Sequence, residues 1–405
     1  MRLSLISNNA NLHLPIPNDF KTARRILIIG NYGHGNLGDE ILFEVLLNIF
    51  DENQVIIIPT RNKNRLFELH PNKNNIVCYQ VTSPLEVLKF VMDLLLNKID
   101  LIILGGGTII TADRGIGIDM GILLSILLHL LFKSRIYFYG IGISHNLKKA
   151  PLFKHITKIA FSYSSGIYVR DFESLNILKE DIKVTPLEKC TQMMDLALYW
   201  KPKTKSRLSN ESTYSNQQLE HHIVGFALTP DILNRVPDGI IKIRDLIRLI
   251  LEVDPHTLVY LFSFSPDDYY INQLILSGIQ NQTLRERTVV LPLLPPSQVY
   301  NLFLKTRVII GMRLHSILLS YLCKKPAIVL SPFSCGGEDK QERYARFFGY
   351  PIVDCKVFSV HGVLRLLLKI LEYPEPTSKI ELLRLLKVLR RYVYEHQQQR
   401  TFLDD

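Results

Sequence analysis

Four short apolar runs in this chain end on glycine: RRILIIG (Arg24 to Gly30), DLIILGGG (Asp100 to Gly107), RIYFYG (Arg135 to Gly140) and TRVIIG (Thr306 to Gly311). Each is rich in Ile, Leu, Val or aromatic residues, and three lead towards helix-like segments. That is the rhythm of a parallel α/β sheet. Further strands are expected at Val55 to Pro59, Gly166 to Asp171, His222 to Leu228, Thr257 to Phe264 and Pro326 to Ser331, with helices over Glu40 to Phe50, Pro84 to Leu96, Phe172 to Leu178 and Ser316 to Leu322. In open parallel sheets ligands bind beyond the carboxyl ends of the strands, so the glycine-terminated runs point to the site.

The 405 residues suffice for two or three domains. A polar stretch from Lys201 to His221 has almost no aliphatic content and separates two such patterns. The expected organisation is an N-terminal extension (1–23), a Rossmann-like domain (24–200), a polar linker (201–221), a second Rossmann-like domain (222–372) and a basic amphipathic helix (373–405), with a cleft between the domains. For the last segment, packing onto the domains is the commoner fate, and a membrane-surface face is the sharper alternative.

Hydrophobic residues at 47% and charged residues at 21% exclude a disordered chain. A net charge of +10 favours anionic partners, namely phosphates, acidic sugars or a lipid headgroup surface. The charge is scattered and no nucleic-acid-binding motif is present, which argues against nucleic acid. The five cysteines form no C-x-x-C pair and histidines do not cluster at ligand spacing, so neither a zinc site nor a disulfide framework is expected. A polar N-terminus without a secretory apolar region points to a cytoplasmic protein. The greasiest run, Ile118 to Phe132, is too short to span a bilayer and is expected to be a buried core helix.

Chemistry concentrates at the strand ends. GNYGHGNLGDE (Gly30 to Glu40) contains a formal G-x-G-x-x-G at Gly33, Gly35 and Gly38, but Asp39 and Glu40 occupy the place a pyrophosphate would need. Asp39 is either a plain helix cap or, with Asn36, a ligand for sugar hydroxyls. GGGT (Gly105 to Thr108) permits close backbone approach and free N–H groups for an oxyanion. Arg170 in YVRDFES either reaches an anion or pairs with a neighbouring carboxylate such as Asp171. In GMRLHS (Gly311 to Ser316), Arg313 and His315 can face a ligand with Leu314 turned into the core, Arg313 offering a bidentate fork. The helix dipole at that turn disfavours imidazolium, which keeps His315 neutral and able to take a proton.

Together these motifs, with MMDLAL around Asp195 and Lys340 in GGEDKQERYARFFG, resemble the polysaccharide pyruvyl transferase family from about Arg24 to about Asp354. The resemblance implies two Rossmann-like domains in a GT-B-like arrangement, and transfer of pyruvate from phosphoenolpyruvate to two hydroxyls of one sugar with release of phosphate. It implies Arg170, Arg313, Leu314, His315 and Lys340 on the donor, with His315 as acid/base, and Asn36, Gly38, Asp39, Glu40, Gly106, Gly107 and Thr108 on the acceptor. The N-terminal domain would then be the acceptor side. No metal or cofactor is implied beyond phosphoenolpyruvate as co-substrate. Expected partners are a sugar or lipid-linked oligosaccharide acceptor and peripheral contact with the inner membrane. Three positions depart from the family pattern: Tyr139 where Gln is frequent, Ile143 where Pro is frequent, and Asp113 as the nearest acid after the triple glycine. The alternatives are a GT-B glycosyltransferase using a nucleotide sugar and a non-catalytic glycan binder.

Overall fold

Two parallel sheets reverse their strand order in the middle, one in each half of the chain. The computed structural model describes residues 13–70, 75–113, 116–202, 222–332 and 340–371. It divides into two units, Met1–Pro202 and Lys203–Asp405. In the first, β1 (Arg25–Ile29), β2 (Val55–Thr60), β3 (Ile76–Gln80), β4 (Leu101–Ile110), β5 (Arg135–Ile143), β6 (Gly166–Val169) and β7 (Cys190–Gln192) take the order β3-β2-β1-β4-β5-β6-β7, every pair parallel. In the second, β8 (His222–Ala227), β9 (Thr257–Leu261), β10 (Thr288–Val290), β11 (Thr306–Gly311), β12 (Ala327–Ser331) and β13 (Ile352–Asp354) take the order β10-β9-β8-β11-β12-β13, again all parallel. Both are doubly wound sheets of the expected Rossmann-like class.

The helices of the first unit are α1 (Asn18–Thr22), α2 (Leu37–Leu47), α3 (Lys63–Leu69), α4 (Pro84–Leu96), α5 (Ile116–Phe132), α6 (Pro151–Tyr163) and α7 (Phe172–Asn176). Those of the second are α8 (Asp231–Asn234), α9 (Gly239–Val253), α10 (Pro266–Ser277), α11 (Gln282–Glu286), α12 (Pro296–Lys305), α13 (Leu314–Leu322), α14 (Lys340–Phe348) and α15 (Val360–Ile370). Local capping sets their starts. Asn36 accepts from the Gly38 N–H at 3.1 Å, so α2 begins before Glu40, and a capping box of Ser83 and Glu86 opens α4 at the expected residue.

In the first unit, Leu27, Ile29, Ile102 and Leu104 on one sheet face pack with Phe90 and Leu94 of α4, Ile122 and Leu128 of α5, and Phe153 and Phe161 of α6. These three helices therefore cover the same face. α5 is not the buried core helix expected from its composition. Only its inner side is covered, while Met120, Leu123, Leu127, Leu130 and Leu131 are exposed. A helix that is apolar all round carries no periodicity to tell its two sides apart.

Residues 13–23 fold onto the first unit. Phe20 is fully buried, Asp19 meets Arg135 and accepts from the Tyr137 hydroxyl at 2.6 Å, and the Gln54 amide donates to the carbonyls of Phe20 and Ala23 at 2.9 and 2.6 Å. The linker from 203 to 221 and the amphipathic segment 373–405 lie outside the described residues.

Candidate active site

The strand order of the first unit reverses between β1 and β4, the crevice where doubly wound sheets bind ligands. Ile29 pairs with Leu104, which brings Gly30 and the glycine loop alongside the triple glycine. Further along, Gly107, Ile141, Val169 and Gln192 are successive partners across β4, β5, β6 and β7. The residues that follow them are thereby aligned, and this is how GGGT, GIGI and YVRD converge. Arg170, only 5% exposed, donates from Nη2 to Thr108 Oγ1 at 2.6 Å and from Nη1 to Asp195 Oδ2 at 3.1 Å. Asp171 lies 3.7 Å from its Nε. The carboxylate pairing of Arg170 is formed chiefly with Asp195, which fixes the direction of the guanidinium. A Cβ at Gly142 would stand 2.8 Å from Arg170 Nε, so glycine there leaves room for the guanidinium.

The triple glycine is not a loop. Gly105 to Gly107 lie within β4, and Gly140 to Ile143 within β5, so these strands run several residues past the expected ends. The ladder shifts register between Gly107 and Ile110. Gly107 has φ +83°, and a Cβ on it would sit 2.9 Å from Asp39 Oδ1. The glycine thus provides close approach to a carboxylate.

Asp39 is not the cap of α2, a place taken by Asn36; it lies in the helix's first turn and is 8% exposed. Asn31 Nδ2 donates to its Oδ2 at 3.3 Å. Burial and the adjoining Glu40 push its pKa up to about 7, against smaller opposing effects of Asn31 and Arg170. Glu40 is buried too. It accepts from the Gly33 N–H at 2.8 Å and meets His70 Nε2 at 3.0 Å, and His70 Nδ1 lies 3.5 Å from Glu44. Burial alone would lower the His70 pKa, but the contacts with Glu40 and Glu44 outweigh it and the net direction is upward. A buried Glu40–His70 contact, joined to the Gly33 N–H, therefore helps hold the shape of the glycine loop.

In the second unit the order reverses between β8 and β11. Gly311 pairs with Ala227 and Val329, and the turn after it carries Arg313 as the cap residue of α13, with His315 in the first turn. Met312 is the fully buried residue of this turn, and Leu314 is only half-buried, the reverse of the expected inward Leu314. The Arg313 side chain keeps 28% of its surface. Its Nε donates to Asp268 Oδ2 at 3.0 Å, and its Nη2 to Ser265 Oγ at 2.8 Å and to Asp268 Oδ1. Asp268 is fully buried. Its burial raises its pKa, an effect that the contacts with Arg313 and Ser265 only partly offset. Lys340 begins α14, whose next residue, Gln341, donates to the Met312 carbonyl at 2.8 Å. Arg313, Leu314, His315 and Lys340 thus gather at one strand-to-helix junction.

The family model for polysaccharide pyruvyl transferase matches residues 36–332. The chain belongs to the polysaccharide pyruvyl transferase family. Membership makes it a transferase acting on polysaccharide. The matched region contains every candidate residue except Lys340. No curated protein sequence matches the chain. Among solved structures it is similar to the UDP-GlcNAc 2-epimerase from Methanocaldococcus jannaschii, with a TM-score of 0.58 and 14% identity over 91% of this chain and 99% of that one. The UDP-GlcNAc 2-epimerase from Neisseria meningitidis, bound to UDP-GlcNAc, gives 0.56 and 14% over 87% and 92%. At such identities the likeness concerns the fold alone, which is GT-B-like.

Sequence reasoning did not find Asp268, Ser265, Asn31 or His70. Ser265 and Asp268 stand in SPDD, which signals a helix start and nothing more. His70 meets Glu40 across thirty residues, a pairing that no local spacing announces. Among the family departures, Tyr139 is buried with its hydroxyl donating to the Pro15 carbonyl at 2.9 Å, so residues before β1 anchor it. Asp113 accepts from the Asn146 amide.

Proposed function

We propose that the protein transfers the pyruvyl group of phosphoenolpyruvate onto two hydroxyls of one sugar in a polysaccharide or its lipid-linked precursor, working in the cytoplasm. The reading is supported most by Arg313, a partly exposed guanidinium whose direction is fixed by a fully buried carboxylate. Asp268 and Ser265 engage Nε and Nη2, so Nη1 is presented to an anion in a set orientation. Lys340, at the start of the helix whose Gln341 holds the Met312 carbonyl, adds a second cation, and Arg170 is the third donor residue. Leu314 lines the same turn.

In this mechanism a proton adds to the methylene carbon of phosphoenolpyruvate, and cationic character develops at C2. His315 takes the proton of the first attacking sugar hydroxyl. Phosphate leaves with the C2–O bond electrons, and the second hydroxyl closes the cyclic ketal while its proton passes to the departing phosphate. The arginines and the lysine balance the negative charge of the donor and of the departing phosphate. On the first unit, Asn36, Gly38, Asp39, Glu40, Gly106, Gly107 and Thr108 receive the sugar. A buried Asp39 with a pKa near neutrality can exchange a proton with a sugar hydroxyl.

The reading is tested by acid-releasable pyruvate in the polysaccharide of cells whose only copy carries His315→Ala. Loss of pyruvate with unchanged protein level supports it, and an unaltered pyruvate content overturns it.

A further inference from the structure

The outer side of the α4, α5 and α6 layer is apolar where a surface should be polar. α4 exposes Leu85, Leu88, Met92 and Leu96, the first 61% and the last 77% accessible. α5 repeats the spacing with Met120, Leu123, Leu127, Leu130 and Leu131. Leu152, Ile159 and Tyr163 of α6 continue the same layer. Half of the exposed large hydrophobic residues among those described thus fall on three helices that share one sheet face. Among its described residues the second unit, with the same sheet topology, shows only scattered exposed apolar residues such as Leu233, Ile241 and Tyr270. The fold does not require such a face, and contiguous exposed apolar surface marks a docking site.

The charges around the face identify what docks. Lys89, Lys98, Lys133 and Lys158 are exposed on these helices or directly after them. The helices carry only three acids, of which Glu86 closes the capping box of α4 and Asp93 pairs with Arg25 at 3.6 Å. A second copy of this chain, docked face to face, would set lysine against lysine with few acids to offset them. An anionic bilayer offers the lysines phosphate groups while the Leu and Met side chains enter the acyl boundary. At the first turn of α4, an open groove of about 680 Å³ has one apolar side of Val81, Val87, Leu88 and Val91, with the polar Arg61, Thr82 and Ser83 also lining it. An apolar side next to a guanidinium and two hydroxyls suits an apolar chain that ends in a phosphate.

We infer that the α4–α6 face seats the protein on the surface of an anionic lipid bilayer. The inference goes beyond the donor chemistry and deepens the proposed function on one point, since a lipid-linked acceptor would be met at this face.

The test is co-sedimentation of the full chain with phosphatidylglycerol-containing vesicles and with pure phosphatidylcholine vesicles. Wild type and Leu88→Glu/Leu127→Glu are compared, with phosphoenolpyruvate binding measured in parallel. Selective sedimentation with the anionic vesicles, reduced about tenfold or more in the double variant, is expected. Unchanged phosphoenolpyruvate binding shows that the variant is folded and separates this claim from the donor reading. As a second readout, Leu127→Trp adds a surface indole to a chain whose one tryptophan, Trp200, is buried. Its emission should shift to the blue on anionic vesicles, and that of Leu233→Trp should not. Equal vesicle binding by wild type and double variant, no vesicle binding by wild type, or a dimer that the double variant dissolves would each overturn the inference.

Discussion

Replacing Asp39 with Asn should stabilise the protein at neutral pH and have no effect in acid. In the folded chain the carboxyl titrates at about 7, against an ordinary value of 3.8, because burial and Glu40 penalise its charge. Below the unfolded value both states hold the proton and no penalty exists. As pH rises from 3.8 to about 7 the unfolded chain releases a proton that the folded chain retains, so stability falls with pH. The difference converts to roughly 4 kcal/mol at 1.36 kcal/mol per pKa unit, an upper bound that local relaxation would reduce to about 2 kcal/mol. Asn keeps the shape and a hydrogen-bonding partner for Asn31 while removing the charge. Urea unfolding of wild type and variant, followed through buried Trp200, which reports the first unit, should give coincident midpoints near pH 4 and a variant advantage that grows until about pH 7. The variant should lose transferase activity, since a strained carboxylate kept at a site is retained for its chemistry. Parallel stability curves across this range would refute the argument that Asp39 carries a proton near neutrality.

Three further outcomes follow from the same geometry. Asp268→Ala should cost about 3 kcal/mol or more of stability in the second unit and weaken phosphoenolpyruvate binding, because Arg313 loses the carboxylate that orients it; urea unfolding and calorimetry check both. Gly107→Ala should lower stability by about 1–3 kcal/mol, read as a drop in Tm, since a Cβ meets Asp39 Oδ1 at 2.9 Å from a left-handed backbone. His70→Gln should destabilise most at low pH: with its folded pKa raised, His70 contributes fully below its unfolded 6.5 and loses that contribution as pH climbs through the folded value. A destabilisation that instead grows with pH would exclude the Glu40–His70 pair as its source.

Much of the architecture follows from composition and punctuation along the chain. Strands β1, β4, β5, β8 and β11 are dense in branched residues and buried on both faces, so their apolar runs stand out. The edge strands β3, β7, β10 and β13 are only three to five residues long and partly buried, too short for their few apolar residues to stand out from the neighbouring loops. Glycine as a strand-end signal misplaces the ends of β4 and β5, because Gly106 and Gly107 continue β4 with a register shift and Gly140 lies within β5. GMRLHS was readable because strand, turn and helix are contiguous, whereas its anchor Asp268 comes from a different helix, forty-five residues earlier. The expectation of a buried α5 fails for a related reason. A uniformly apolar helix states how hydrophobic it is and leaves unsaid which neighbours cover it.

The central claim is that Arg313 and its neighbours bind phosphoenolpyruvate as the donor. Calorimetric titration of the full chain with phosphoenolpyruvate, and separately with UDP and GDP sugars, tests it without knowledge of the acceptor. Phosphoenolpyruvate should bind, and Arg313→Ala should weaken it by about 10- to 100-fold, the value of one charge-assisted contact to an anion. Binding of a nucleotide sugar with none of phosphoenolpyruvate would contradict the account and make the protein a glycosyltransferase.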